Sequence, residues 1–177
     1  ANGINKIIAS PGTTDIPFVV SVQYDEYFKV FSCVDERSAA YMACGLADET
    51  GEPVVIVCTG ATASRNYLPG LTEAFYRKLP VIAVTSTQPT ERVGNLSPQL
   101  IDRSVSQKDV SVFKCNLQNI ASKLDEWSAN IKVNKALSEL KRHGGGPVHI
   151  NLETSYNMNF NVKQLPATKV IRRYAIG

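Results

Sequence analysis

Cysteine pairs, histidine clusters and runs of like charge are all missing from this chain. The 177 residues include four cysteines, Cys33, Cys44, Cys58 and Cys115, and no two of them form a CxxC pair. Three lie in or beside apolar runs, where cysteine acts as a small hydrophobe. The expectation is reduced, buried thiols in a cytoplasmic protein. The two histidines, His143 and His149, fall near a helix end and in the last strand. That placement suggests core or surface roles, and no metal ligands are assigned.

Nineteen basic side chains stand against sixteen acidic ones, a net charge of +3, with no arginine-rich or basic-aromatic stretch. Capture of a nucleic acid is therefore not expected. No apolar run approaches the roughly 20 residues that span a bilayer, and no charged-then-apolar leader opens the sequence. Neither GxGxxG nor GxxxxGK[ST] occurs, which argues against dinucleotide and P-loop sites. Internal repeats and low-complexity segments are also absent. The first residue is not methionine and lies close to a strand, so a fragment of a longer chain is expected.

What remains is an alternation of strand and helix signals. Residues 5–10 form a short apolar run ending at Pro11-Gly12-Thr13-Thr14. Proline stops the ladder, and Thr13 or Thr14 is expected to cap a helix over 16–20. Residues 28–34 make a second strand, and Glu36 opens a helix whose Ala39, Ala40, Ala43 and Ala47 form a small apolar face. The buried-strand run 54–58 ends in Thr59-Gly60-Ala61-Thr62. A helix over 66–77 with Pro69 in its first turn leads to a strand at 81–85. Residues 87–112 read as a long functional or interface loop with a short helix near 99–105. A strand at 112–115, a helix over 120–142 and a strand at 148–152 complete the pattern. The helix carries Leu124, Trp127, Ile131, Ala136, Leu137 and Leu140 as its apolar set.

Six such alternations predict an α/β fold. It is a three-layer α/β/α architecture around a mostly parallel six-stranded sheet, with right-handed crossovers. Ligand chemistry then belongs beyond the carboxyl ends of the strands, where Thr13, Glu36, Gly60 and Ser86 fall. Residues 1–155 are read as the domain and 156–177 as a tail or the start of a linker.

The ordered stretches Asp35-Glu36-Arg37-Ser38-Ala39-Ala40, Val55-Ile56-Val57-Cys58-Thr59-Gly60 with Asn66, and Pro80-Val81-Ile82-Ala83-Val84-Thr85-Ser86 carry a resemblance. Gly146-Pro147-Val148-His149-Ile150-Asn151-Leu152 extends it. Together they resemble the pyrimidine-binding N-terminal domain of thiamine-diphosphate-dependent enzymes of the acetolactate synthase and pyruvate oxidase group. The loops are similar to those of the succinyl-hydroxycyclohexene-carboxylate synthases of menaquinone biosynthesis.

The resemblance implies that Glu36 is catalytic. In that family the equivalent glutamate hydrogen-bonds N1′ of the aminopyrimidine and promotes its imino form. A poorly solvated cleft would raise the carboxyl pKa and let it share that proton. The resemblance further implies that Glu36, Thr59, Gly60, Asn66 and Gln99 bind the cofactor, with Thr13 and Thr14 in the substrate-side loop. It implies thiamine diphosphate and Mg²⁺ as cofactors, both anchored mainly by a diphosphate-binding domain absent from this chain, which has no Gly-Asp-Gly. A 2-oxo acid substrate, decarboxylase or carboligase activity and a homodimer or tetramer follow from the same likeness, and an isolated fragment is expected to be inactive. Departures are Asp35 where many relatives have histidine, and Pro11-Gly12-Thr13-Thr14 without the arginine of the menaquinone enzymes.

Two alternatives stand beside this reading. One is a non-catalytic homologous subunit or regulatory dimerisation domain, and the other is a generic flavodoxin-like or Rossmann-like binding domain. The cofactor reading requires the Glu36 carboxylate to be exposed at a strand-end interface, outside any buried salt bridge.

Overall fold

A computed structural model describes residues 2–155. They form a six-stranded sheet in the order β2-β1-β3-β4-β6-β5. The strands are β1 (Lys6–Ser10), β2 (Lys29–Ser32), β3 (Val54–Thr59), β4 (Val81–Thr87), β5 (Phe113–Leu117) and β6 (Val148–Glu153). Every pairing is parallel. β3 and β4 are buried along their whole length, which is why they read as continuous apolar runs.

The helices are α1 (Ile16–Gln23), α2 (Glu36–Thr50), α3 (Thr62–Asn66), α4 (Leu68–Tyr76) and α5 (Lys123–Glu139). Alternating strand residues feed two cores. Ile8, Val54, Ile56 and Ala83 meet Ala39, Ala43 and Ala47 of α2 and Leu71 and Ala74 of α4. Ile7, Val55, Val57 and Val84 meet Val19 and Val22 of α1 and Ala136 and Leu140 of α5. This is the expected three-layer α/β/α arrangement.

The small residues of α2 permit a close helix crossing. A side chain at Gly70 of α4 would put its Cβ 2.5 Å from the Ala40 Cβ. Gly51 ends α2 in the left-handed region at φ 66°, where glycine carries no steric penalty. Cys44 and Cys58 are buried, and burial pushes their thiols up to about 11 and about 12. Both behave as inert core groups.

Several expected elements differ. Residues 99–105 form no helix. Gln99 sits at φ 56°, and Asp102 Oδ1 accepts from the Ser104 amide, offering the backbone a turn instead. The only helical turn of that loop among the described residues is a 3₁₀ turn at Thr90–Arg92. α1 is not capped by threonine. Asp15 occupies the N-cap, and its Oδ1 accepts from the Gly12 amide at 2.7 Å. The helix expected over 66–77 divides at Tyr67 into α3 and α4. α5 is shorter than expected at both ends, because Ser122 and Asp125 form a capping box at its start. Leu124 and Trp127 face outward, 69% and 60% exposed, and so do not join the core. The proposed tail, 156–177, lies outside the described residues.

Candidate functional site at the strand ends

β1 and β3 are neighbours whose connections run to opposite sides, to β2 and to β4, which makes their carboxyl ends the switch point where open α/β sheets form a ligand crevice. Two turns flank the crevice. Gly12, after β1, packs so closely that a Cβ would overlap the Thr59 methyl group. Gly60, after β3, is pressed against β4, and a Cβ there would lie 2.7 Å from the Ser86 carbonyl oxygen. Both glycines are therefore set by backbone approach between neighbouring strand ends.

Glu36 is the first residue of α2 and follows β2 at the crevice rim. Asp35 caps the helix and accepts from the Ser38 amide at 2.8 Å, which fixes where Glu36 leaves the backbone. The Ser38 hydroxyl, donating to Asp35 Oδ2 at 2.6 Å, and then the Ser38 amide hold the Asp35 carboxyl below its usual range. The Glu36 side chain is partly exposed and enters no salt bridge among the described residues. Asn66, the last residue of α3, donates from Nδ2 to Glu36 Oε2 at 3.1 Å. Oε1 has no partner among the described residues.

The other expected residues are spread around this pair. Thr59 and Gly60 are buried at the end of β3. Thr13 is exposed on its turn, whereas Thr14 is buried and braces that turn against β4. Its Oγ1 donates to the Ser86 carbonyl at 2.8 Å and accepts from Ser86 Oγ at 3.0 Å. Gln99 lies in the loop after β4, partly buried, and its Oε1 is a buried acceptor with no partner among the described residues. No hydrogen bond joins Gln99 to Glu36 among the described residues.

Two groups at the site escaped the sequence reading. Asp15 is fully buried beneath the Gly12 turn, with Oδ2 unpaired among the described residues. Burial raises its carboxyl to about 6, against the lowering effect of the Gly12 amide. Arg103 reaches back from the long loop and donates from Nη2 to the Gly60 carbonyl and to Ser64 Oγ, at 2.6 Å in the latter case. Neither contact leaves a local sequence signal, since both join residues far apart in the chain or hidden in a turn.

Comparison with known proteins shows the family and the fold. Residues 1–112 match the family described as thiamine pyrophosphate enzyme, N-terminal TPP binding domain. The chain is 36% identical over 175 residues to the 2-succinyl-5-enolpyruvyl-6-hydroxy-3-cyclohexene-1-carboxylate synthase of Bacteroides thetaiotaomicron, covering 98% of this chain and 32% of that protein. It is 37% identical over 151 residues to the synthase of the same name from Flavobacterium johnsoniae, covering 85% of this chain and 26% of that one. It thus spans about a third or less of the length of these curated relatives. Benzoylformate decarboxylase from Polynucleobacter necessarius shares the fold. Its TM-score is 0.71 at 19% identity, over 98% of this chain and 31% of that one. The chain belongs to the family of N-terminal thiamine-pyrophosphate-binding domains of thiamine pyrophosphate enzymes.

Proposed function

We propose that this chain is the N-terminal domain of a thiamine-diphosphate-dependent decarboxylase or carboligase acting on a 2-oxo acid, with Glu36 as the group that activates the cofactor's aminopyrimidine. The observation that carries the reading is the Glu36–Asn66 pair at the rim of the crevice. One carboxylate oxygen is held by the amide at 3.1 Å, and the other is left for a ligand. A carboxyl so oriented can share a proton with a weakly basic ring nitrogen.

The residues present fit half of such a cofactor site. Gln99 supplies a buried acceptor with no partner among the described residues, Oε1, which suits an amino or hydroxyl donor. Thr59 and Gly60 bring the β3 backbone to the crevice, and Thr13 and Thr14 form the substrate-side turn. Bound thiamine diphosphate supplies the carbanion chemistry that decarboxylates 2-oxo acids. Mg²⁺ and the diphosphate belong on another domain. Among the described residues, no group of three histidine, cysteine, aspartate or glutamate side chains could hold a metal ion.

Residues 1–155 then form the pyrimidine-binding domain and 156–177 lead towards the rest of the polypeptide. Tyr41 and Met42 on α2 and Tyr76 beyond the core of α4 are 49%, 48% and 70% exposed, and favour docking of a further domain or subunit. A homodimer or tetramer completes the site from a partner's diphosphate domain.

The test uses the complete polypeptide bearing this domain. Carbon dioxide release from a panel of 2-oxo acids is measured with and without Mg²⁺ and thiamine diphosphate. The wild type turns over and Glu36→Gln loses most of the rate, by about 100-fold or more. Equal, measurable rates in the two proteins reject the Glu36 assignment, turnover without the cofactor rejects thiamine-diphosphate dependence, and absent turnover in both favours a non-catalytic subunit.

A further inference from the structure

α2 and α4 cover β1, β3 and β4, but on the same face no helix among the described residues covers β6 and β5. The 101–106 segment lies over them and borders an open cavity of about 550 Å³. Its walls include Arg65 from α3, Arg103 from that segment, and Lys114, Asn116, His149 and Asn151 from the two strands. Neither Glu36 nor Asn66 lines it.

Three cations meet a single carboxylate on these walls, Asp102, whose Oδ1 already accepts from the Ser104 amide and whose charge lies near Arg65, so the set stays net positive. Arg65 donates to the Asp102 carbonyl, Arg103 to Gly60 and Ser64, and Lys114 to Ser106 Oγ at 2.8 Å. None of the three enters a salt bridge among the described residues. Arg103 Nε is buried and has no acceptor among the described residues. Burial, followed by the nearby Arg65 charge, lowers the Arg103 guanidinium to about 10. An unpaired cation in a low-dielectric recess gains more from an anion than one in water.

The floor supplies a different kind of group. Thr85 Oγ1 donates its one proton to Asn151 Oδ1 at 2.8 Å. His149 Nε2, 2.8 Å from the same oxygen, must therefore be the donor in their contact. Burial and the Arg103 and Lys114 charges hold the ring neutral, with its pKa lowered to about 3. Nδ1 is then a bare acceptor, without a partner among the described residues, on a ring that lines the cavity. Asn151 is fixed in turn by donating to Thr87 Oγ1 at 3.0 Å and to Asn116 Oδ1 at 2.7 Å.

We propose that the cavity between the 101–106 segment and the β6–β5 face binds a small hydroxyl-bearing organic anion. Its carboxylate or phosphoryl group pairs with Arg103, Arg65 and Lys114, and its hydroxyl donates to His149 Nδ1. Ile101, Val93 and Val105 along the wall accommodate a short apolar body. This site adjoins the cofactor site proposed above through Arg103, which donates to the Gly60 carbonyl, but its lining does not include Glu36 or Asn66 and its test does not require the cofactor.

The test is side-chain NMR on the full 177-residue chain, following the Arg103 Nε–H resonance. The charged probes are glycerol 3-phosphate and 2-hydroxyisovalerate, which separate phosphoryl from carboxylate ligands, and glycerol is the neutral control. At least one charged probe should shift the resonance saturably while glycerol leaves it in place. Lys114→Met and Arg65→Met remove exposed side chains with no core role, and each should weaken that probe about tenfold. Lys29→Met, on the opposite sheet edge, should leave it unchanged. The proposal is overturned if neither anion saturates, if glycerol binds as well as the anions, or if both substitutions on the cavity wall leave the affinity as it was.

Discussion

Asn66 holds Glu36 by one oxygen only, Nδ2 to Oε2 at 3.1 Å, and the two residues come from different helices. The contact therefore couples the start of α2 to the end of α3. If Glu36 acts through its free oxygen, the amide sets the angle at which that oxygen is offered. In the complete polypeptide, Asn66→Ala should lower kcat for carbon dioxide release by about 10- to 100-fold with a smaller change in KM. Asn66→Asp should be worse, because it sets a second carboxylate against the first and raises the pKa of the pair. A pH–rate profile of the two variants separates these outcomes. An unchanged kcat in Asn66→Ala would show that the amide has no positioning role.

Gly60 and Gly45 make opposite predictions from the same substitution. A Cβ at Gly60 would overlap the Thr87 methyl group and lie 2.7 Å from the Ser86 carbonyl oxygen, and neither strand end can retreat from the fully buried β4. Gly60→Ala should cost about 1–3 kcal/mol, read from denaturant unfolding. It should also displace Arg103, which donates to the Gly60 carbonyl. Gly45 lies within α2 with nothing within 4 Å of its would-be Cβ. Gly45→Ala should stabilise the chain by about 0.5–1 kcal/mol, because alanine loses less backbone entropy in a helix.

Asp15 predicts how stability follows pH. Its carboxyl is raised in the folded state from 3.8 to about 6, chiefly by burial. The folded chain thus binds this proton more tightly than the unfolded chain does. The stabilising contribution is fully present below about pH 4, is lost as pH rises through about 6, and amounts to roughly 3 kcal/mol. Asp15→Asn keeps an acceptor for the Gly12 amide and removes the charge. Its unfolding free energy should exceed that of the wild type at pH 7 and should lose most of this slope between pH 4 and 6.5. Parallel pH profiles for the two proteins would assign the slope to other groups.

The sheet was legible because it is buried. Runs such as Val54–Thr59 and Val81–Thr87 have apolar side chains on both faces, and a parallel strand covered by helices needs that composition. The rim residue Glu36 was legible through its order with Asp35 and the alanines behind it, and Asn66 through the family pattern. The long loop was not. Its conformation depends on side chains that serve as turn acceptors, such as Asp102, and on left-handed residues, Leu96 and Gln99, that no glycine announces. Arg103 looks in sequence like any solvated loop cation, and only the fold shows that it ends on the β3 carbonyl. Trp127 misled in the opposite direction. It falls near helical spacing, yet α5 is held to the sheet through Ala136 and Leu140 and leaves Trp127 outside.

Thr85 joins the last two central strands through one hydroxyl. Oγ1 donates to Asn151 Oδ1 and receives His149 Nε2–H, both at 2.8 Å, from a side chain that is itself fully buried. Valine has the same shape without the hydroxyl. Thr85→Val therefore keeps the packing and leaves one buried donor and one buried acceptor unpaired, at a cost of about 2–4 kcal/mol. Thr85→Ser keeps the hydroxyl and loses only a methyl group, so it should cost about 1 kcal/mol or less. Unfolding curves that rank valine below serine would show that the hydrogen bonds outweigh the volume. The reverse order would mean that the methyl contact matters more, and that His149 and Asn151 find other partners when the hydroxyl is gone.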